Sequence, residues 1–327
     1  MSKKAKIHRK DGTLECIYPT EDGKKTQKVP INRLTSIETY GNISFSIPLL
    51  LLCNNLEIPC YFNSYYGRSI GRFIPANQKS SIVKLKQYDS FQDKKRKTHI
   101  AQSIITKSSI NRLKIIHKFD NKKKCQKEFN KIIKLIKGLR RIKIVNKLRG
   151  IEGNIMKEYF SAFRKMLYHL PFNNRSTQPP KDEGNAILSF GNVILYNKVD
   201  SIVYRCSLDP QVGFLHEPHE NRSSLSLDIS EIFRPLLVDN LILRLDHKNT
   251  LRKNHFKRDE FKCYLNKRGK EIWLKEWKNH LKSSFKYNPL NRKISIQETI
   301  KIECYNLIKY FNQEKQKYNP LYFKIRW

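Results

Sequence analysis

The residues with the clearest potential for chemistry lie between positions 207 and 240. This stretch, SLDPQVGFLHEPHENRSSLSLDISEIFRPLLVDN, holds six acidic residues against two arginines. The chain as a whole has 65 Lys and Arg, 29 Asp and Glu, and a formal charge of +36. Acidic side chains gathered in one part of such a basic protein repel one another unless a cation lies between them. The stretch therefore indicates a site for a divalent metal ion.

Asp228, Glu231 and His216 are the ligand candidates within this stretch. Because Asp228 and Glu231 are three residues apart, they share one face of a helix, away from its apolar face. Carboxylates with one imidazole suit Mg²⁺ or Mn²⁺, and the imidazole favours Mn²⁺. Zinc fits less well because no cysteine lies at ligand spacing. Taken singly, such acids more often cap helices or form surface ion pairs, so both interpretations stay open here.

Glu152 is a third unusual carboxylate, in the segment GIEGNIMKEYFSAFRKML. It falls on the same helical stripe as Met156, Tyr159 and Phe163, so it faces apolar surroundings. A buried acid usually has a partner, either an arginine or a metal ion. A carboxylate placed at a helix start by the helix dipole is equally consistent with the pattern.

Positive charge is concentrated between positions 81 and 150, with 22 Lys and Arg against four acids. So many like charges on neighbouring helices favour a polyanionic partner, although any single lysine is more often only solvated. No base-reading motif is present, so we expect contacts mainly to backbone phosphates. The candidate DNA-binding residues are Lys94, Lys95, Arg96, Lys97, Arg140, Arg141, Lys143, Lys147 and Arg149.

The elements that must position these residues indicate an α+β protein. A small N-terminal β domain, residues 1–78, is followed by a larger all-α domain, residues 79–327, which would carry any catalytic site. Hydrophobic residues make up 39% of the chain, which excludes a disordered polycation. Short β-rich runs separated by turn residues predict the β domain, and apolar spacing of three and four predicts the helices. The expected strands lie at 14–18, 36–40, 57–62 and 69–75, and the expected helices include 129–139, 152–166, 185–199, 225–243, 271–285 and 296–311.

Cysteine usage and apolar run lengths predict a cytoplasmic protein without a membrane segment. Seven cysteines form no CxxC pair, as expected of reduced thiols. The basic N-terminus is followed by no apolar stretch, so no secretory signal is expected. The longest apolar run, 47–53, is far shorter than the roughly 20 residues that cross a bilayer.

The order of several sequence strings resembles the CRISPR-associated integrase family, the metal-dependent DNA endonuclease of spacer acquisition. The similarity runs over roughly residues 7–310, includes the N-terminal segments 29–46 and 58–75, and is closest to type I-B variants. The other matching strings are LRGIEGNIMKEYFSAF (148–163), NAILSFGNVILYN (185–197), DPQVGFLHE (209–217) and SLSLDISEIFRPLLVD (224–239).

This resemblance implies residue roles. The family holds its catalytic metal, Mn²⁺ or Mg²⁺, on a Glu, a His and a second acid, which match Glu152, His216 and Glu231. Asp228 matches a further family acid and is expected to support the site. The implied reaction inserts short DNA fragments into a CRISPR array, as a fragment 3′-hydroxyl attacks a phosphodiester.

The resemblance also implies partners. Family members bind double-stranded DNA and form homodimers through the β domain. Two such dimers flank a dimer of a small ferredoxin-like companion protein, which makes a hetero-hexamer. Two other functions remain open from the residues alone: a basic nucleic-acid-binding scaffold whose acids only cap helices, and a metal nuclease directed at RNA.

Overall fold

The computed structural model describes residues 5–20, 23–65, 69–76, 81–220, 222–287 and 291–321. The chain divides into two units, Met1–Ser81 and Ile82–Trp327. The boundary expected between residues 78 and 79 lies outside the described residues. In the described ranges, no helix has both the length and the apolar character that a bilayer crossing requires.

The described residues of the smaller unit form two sheets and one α-helix. The first sheet has the strand order β3-β2-β1-β5 and the second has the order β4-β6-β7. Apolar residues of both sheets and of the helix meet in one core, which includes Ile7, Leu14, Ile37 and Leu49. In chain order the elements are β1 (Ala5–Lys10), β2 (Thr13–Thr20), β3 (Gly23–Pro30), β4 (Ile37–Tyr40), β5 (Ile43–Phe45), α1 (Ile47–Asn55), β6 (Cys60–Asn63) and β7 (Ser69–Phe73).

The larger unit is mostly helical, which confirms the predicted α+β class. Its helices are α2 (Ser81–Gln92), α3 (Lys94–Phe119), α4 (Gln126–Leu139), α5 (Val145–Met166), α6 (Glu183–Arg205), α7 (Ser224–Arg234), α8 (Asn240–His247), α9 (Lys267–Lys282) and α10 (Ile296–Phe311). Its strands are β8 (Phe256–Arg258), β9 (Cys263–Leu265), β10 (Ser284–Tyr287) and β11 (Arg292–Ser295).

The strands β8 to β11 form two antiparallel pairs, β8–β9 and β10–β11. The prediction that this unit is all-α was therefore wrong. Each strand has only three or four residues. A run this short contains too few positions for an alternating apolar pattern to stand out in the sequence. The expected helix 271–285 accordingly ends at Lys282, and its last residues belong to β10.

Helix α6 lies at the centre of the larger unit, and almost all of its side chains are buried. Its first residue is Glu183. Asp182, which the sequence offers as a capping candidate together with Asn185, caps the helix, because its carboxylate accepts the backbone N–H of Asn185 at 2.8 Å. At Gly191 an added Cβ would lie 2.7 Å from the ring of Trp273, so only glycine permits this close packing.

Helix α7 packs against α3 and α6. After α7 the chain continues through a π-helical turn, Pro235–Asp239, into α8. The proline has no N–H to donate, and a wide turn of this kind is often found near functional sites. Helices α3, α5, α6 and α7 are therefore the elements that can bring distant polar residues together.

Candidate active site

Glu231, on α7, is only 5% exposed, and its carboxylate is held between two arginines. Arg112 of α3 donates to Oε2 at 2.6 Å, and the Arg234 guanidinium lies 2.8 Å from Oε1. Burial alone would raise the pKa of Glu231, but the charges of Arg234 and Arg112 outweigh it and lower that pKa. Glu231 is therefore an ionised carboxylate in a fixed position.

His216 lies in the loop between α6 and α7, and Asp228 holds that loop in place. The Asp228 carboxylate accepts backbone N–H groups from Phe214 at 2.6 Å, Leu215 at 3.0 Å and His216 at 2.9 Å. It also lies 2.7 Å from Nδ1 of the His216 ring. Because an ionised carboxylate only accepts, Nδ1 carries the proton and Nε2 of the neutral ring keeps its lone pair.

A glycine makes this loop possible. An added Cβ at Gly213 would lie 2.6 Å from the backbone oxygen of His216 and 2.7 Å from the backbone carbon of Ser224. Any larger residue would therefore push the histidine loop away from α7. This close approach accounts for the glycine in the string DPQVGFLHE.

The pKa of His216 is raised above its ordinary value. Burial works in the opposite direction, because it disfavours the imidazolium. The hydrogen bond to Asp228, the charge of Asp228 and the charge of Glu231 together outweigh burial. His216 consequently keeps its second proton to a higher pH than an exposed histidine does.

Glu152, on α5, completes the group that the sequence predicted. Its pKa is raised, first by burial and then by the charge of Glu231, while the charges of Arg112, His216 and Arg234 oppose the rise. The charge of His216 in turn contributes to lowering the pKa of Glu231. The structure thus brings Glu152, His216 and Glu231 from α5, the α6–α7 loop and α7 into one electrostatic neighbourhood.

These three side chains fit a cation in chemistry, although they are not arranged as a closed ligand cage. In the part of the chain that the structure describes, no three His, Cys, Asp or Glu side chains lie close enough to hold a metal ion. Arg112 and Arg234 already satisfy Glu231. The donor set nevertheless contains two carboxylates that repel each other and an imidazole nitrogen with an available lone pair. A cation near Glu152 and Glu231 would relieve the repulsion between these two carboxylates.

The site contains polar residues that the sequence analysis did not assign to it. Tyr159 donates its hydroxyl proton to Asp239 at 2.8 Å, and burial raises the pKa of Asp239 to about 6. The Arg112 guanidinium lies 5.7 Å from the centre of the Tyr159 ring. In the sequence, Arg112 is one of 22 cations in a basic segment, and no local signal distinguishes it.

The candidate DNA-binding residues fall into two groups. Arg96, Lys97 and Arg149 are half-buried, and their charges have partners within the fold. Arg96 donates to the backbone oxygens of Tyr310 and Phe311, and Lys97 and Arg149 both lie beside Glu217. The exposed group comprises Lys94, Lys95, Arg140, Arg141, Lys143 and Lys147.

The family of the chain follows from its sequence as well as its site. Residues 1–279 match the family model for the CRISPR associated protein Cas1. The chain belongs to the Cas1 family. A relative from Clostridium perfringens, named CRISPR-associated endonuclease Cas1, is 30% identical over 325 residues, 97% of this chain and 96% of that relative. The predicted family is confirmed, and so is the CRISPR-associated endonuclease class.

Solved structures confirm the Cas1 fold. A Cas1 protein from Thermotoga maritima superposes with a TM-score of 0.83 at 28% identity and covers 97% of each chain. A casposase bound to its integration product gives 0.84 at 19% identity, over 99% of this chain and 93% of that one. A chain of a Cas6-RT-Cas1–Cas2 complex gives 0.83 at 18% identity, over 99% of this chain and 36% of that one. At these low identities, the casposase and the Cas6-RT-Cas1–Cas2 chain show only that they share the fold of this chain.

Proposed function

We propose that this Cas1-family chain joins short DNA fragments to a CRISPR array in a metal-dependent strand transfer. A 3′-hydroxyl of the fragment attacks a phosphodiester of the array, a new phosphodiester forms, and a DNA 3′-hydroxyl leaves. The observation that carries the proposal is that Glu152, His216 and Glu231, from three separate segments, influence one another's pKa, with His216 oriented by Asp228.

Glu152, His216 and Glu231 would hold the cation, Mn²⁺ or Mg²⁺. When bound, that ion would polarise the attacked phosphoryl group and stabilise negative charge in the transition state. Asp228 keeps the proton on Nδ1 of His216, so that Nε2 can act as a ligand. Arg112 and Arg234 place two positive charges beside the site, where a DNA phosphate must approach. No protein nucleophile is required.

We also propose the partners of the reaction. The exposed lysines and arginines of α3, α5 and the α4–α5 connection would bind the backbones of double-stranded DNA. In the smaller unit, Ile47, Leu51 and Ile70 are each more than 60% exposed, which supports a homodimer surface on that unit. The Cas6-RT-Cas1–Cas2 complex, one chain of which shares this fold, supports a Cas2-type companion protein. With a small companion of this kind, the assembly would be a hetero-hexamer. This assembly would act in the cytoplasm.

An integration assay tests the proposed reaction. The substrates are a short duplex with 3′-hydroxyl ends and a supercoiled plasmid that carries a CRISPR repeat. We expect joined product with Mn²⁺ or Mg²⁺ and no joined product in EDTA. The matched control is the same duplex with 3′-deoxy ends, which lacks the attacking group. Joining in EDTA, or joining of the 3′-deoxy duplex, would contradict the mechanism.

The raised pKa of His216 predicts how metal binding depends on pH. Because the imidazolium cannot bind a cation, Mn²⁺ should raise the melting temperature fully at high pH. This rise should disappear as the pH falls, with a midpoint above about 6.5, the ordinary histidine value. Strand joining should fall over the same interval. Thermal unfolding with and without Mn²⁺ measures the effect, and equal stabilisation or flat activity from about pH 8 to about pH 5 would contradict it.

One observation favours the alternative of a DNA-binding scaffold: Arg112 and Arg234 satisfy Glu231 without a metal ion. A scaffold would gain no thermal stability from Mn²⁺ at any pH and would join no DNA. The melting experiment therefore separates the two functions. A parallel cleavage assay on DNA and RNA of the same sequence separates both from an RNA-directed nuclease.

A further inference from the structure

The β8–β9 hairpin carries an aromatic side chain at its tip. Phe261 is 70% exposed, the largest exposure among the large apolar side chains of the described residues. The turn that holds it is ordered by Asp259, whose Oδ1 accepts the backbone N–H groups of Phe261 at 3.0 Å and Lys262 at 2.9 Å. An aspartate turn of this kind fixes the backbone, so the position of the ring is set before any partner arrives.

Phe261 takes no part in anchoring the hairpin. Phe256, Cys263 and Leu265 are buried and attach the hairpin to the helical unit. The backbone N–H of Cys263 donates to the oxygen of Pro180 at 2.8 Å. The exposed ring therefore has no evident structural role, although a single exposed apolar residue would not by itself indicate a binding site.

The charge around the ring is the second observation. Residues 252–268 contain seven Lys and Arg and two acids. The two acids, Asp259 and Glu260, directly precede the ring, and Lys262 lies 3.5 Å from Asp259. An exposed aromatic ring in a segment with a net excess of cations is the composition of surfaces that bind single-stranded nucleic acid, where bases stack on the ring and cations contact phosphates. All seven cations are exposed: Arg252, Lys253, Lys257, Arg258, Lys262, Lys267 and Arg268.

A series of contacts connects this hairpin to the candidate active site. Arg258 lies 3.7 Å from Glu183, at the start of α6. Two residues further along α6, Asn185 accepts a hydrogen bond from Arg175 at 2.9 Å. Burial and then the charge of Arg234 lower the pKa of Arg175 to about 10, so these guanidinium groups are electrostatic neighbours. Arg234 is one of the two arginines that hold the buried carboxylate of the site.

We propose that Phe261 stacks on a base of an unpaired DNA strand whose phosphates lie along the cations of the β8–β9 hairpin. In a duplex each base is already covered by its neighbours, so only an unpaired base offers a free face to the ring. This inference rests on the proposed function and adds to it a residue that would position an unpaired strand.

Binding measurements on the full-length chain in EDTA test the proposal, because they do not depend on the metal. The probes are a fluorescent duplex with an unpaired 3′ segment and the same duplex with blunt ends. We expect Phe261→Ala to weaken binding of the first probe about 10-fold, the range found when a stacking ring is removed. Binding of the blunt probe should stay within about two-fold, since it depends mainly on phosphate contacts.

Two substitutions separate stacking from simple apolar contact. Phe261→Leu keeps an apolar side chain without a ring and should behave as Phe261→Ala does. Phe261→Trp keeps a stacking ring and should bind as the wild type does. All three variants should unfold at the wild-type temperature, because Phe261 is not buried. A 2-aminopurine base in the unpaired segment should change its fluorescence with the wild type and with Phe261→Trp only.

Wild-type affinity of Phe261→Ala for the unpaired probe would overturn the proposal, as would an equal loss on both probes. Loss of self-association in Phe261→Ala would also overturn it, because the ring would then contact a second copy of the chain. Failure of the proposed function gives a different result: the wild type would bind neither probe, or it would bind both probes and join no DNA with metal present.

Discussion

Replacing Glu152 by Gln, or His216 by Ala, is expected to slow strand joining on the order of 1,000-fold, a loss typical of removing charge stabilisation at a reacting centre. Each substitution removes one proposed metal ligand and leaves the exposed lysines and arginines intact. DNA affinity should therefore change by less than about two-fold, because it depends on phosphate contacts. The integration assay measures the rate, and fluorescence anisotropy measures the affinity.

Glu152→Gln should not reduce the stability of the protein. Burial and Glu231 raise the pKa of Glu152, so its ionised form is disfavoured in the folded state. A neutral amide of the same shape removes that repulsion, and the melting temperature should stay equal or rise. A loss of strand joining without a loss of stability would then show that Glu152 acts in the reaction and not in folding.

Glu158→Gln is the matched control on the same helix. Glu158 pairs with Lys131 at 2.8 Å on the other side of α5, an ion pair with a half-exposed lysine. This variant should join DNA at the wild-type rate. If Glu152→Gln or His216→Ala also joined DNA at that rate, the assignment of metal ligands would be wrong.

Glu231 needs a separate interpretation because it has a structural role as well. Its removal would leave Arg112 and Arg234 buried without their carboxylate, and breaking a buried ion pair in this way costs about 3–5 kcal/mol. Glu231→Ala is thus expected to lose strand joining and also to unfold at a lower temperature. Its activity must be measured well below that temperature.

Replacing Asp228 by Asn is expected to reduce strand joining about 10- to 100-fold, the range for residues that orient a metal ligand. The asparagine amide can donate to Nδ1 of His216, which moves the ring proton to Nε2 and removes the lone pair available to a cation. The Mn²⁺ concentration that gives half-maximal joining should rise accordingly. A titration of joining rate against Mn²⁺ concentration measures this change.

Asp228→Ala should show a further effect on stability. It leaves three backbone N–H groups and the imidazole without an acceptor, and each unmet buried donor costs about 1–3 kcal/mol. Denaturant unfolding should show a lower free energy of unfolding than for Asp228→Asn. This difference separates the support that Asp228 gives to the loop from its effect on the histidine ring.

Asp209→Asn is a suitable control, because Asp209 lies in the same α6–α7 loop and accepts the hydroxyl of Tyr88 at 2.6 Å. It contacts no ring nitrogen in the described structure, so the Mn²⁺ dependence of Asp209→Asn should match that of the wild type. If Asp228→Asn also showed the Mn²⁺ dependence of the wild type, the orientation of the His216 ring would not determine the affinity for the metal ion.

Several features could be read from the sequence because they depend on neighbouring residues. Apolar spacing of three and four predicted α4 to α6, α9 and α10, and the cap at Asp182 follows from a side chain that reaches its own helix. Glu231, Asp228 and His216 stood out because they lie in an acidic stretch of a basic chain, and Glu152 stood out because it lies on an apolar helical stripe. Strands of three or four residues carry no such pattern, and the two hairpins of the larger unit were missed.

The amino-acid sequence by itself thus determined the α+β class and the family, and it predicted the three side chains of the candidate site. Only the tertiary structure decided what surrounds them. Arg112 precedes Glu231 by 119 residues, yet the two are 2.6 Å apart because α3 packs against α7. Such a contact depends on how helices pack, and helix packing leaves no local signal at an arginine within a basic segment. The Arg112 contact could therefore be found only in the folded chain, whereas Arg234 lies three residues after Glu231 on the same helix, a spacing that is visible in the sequence.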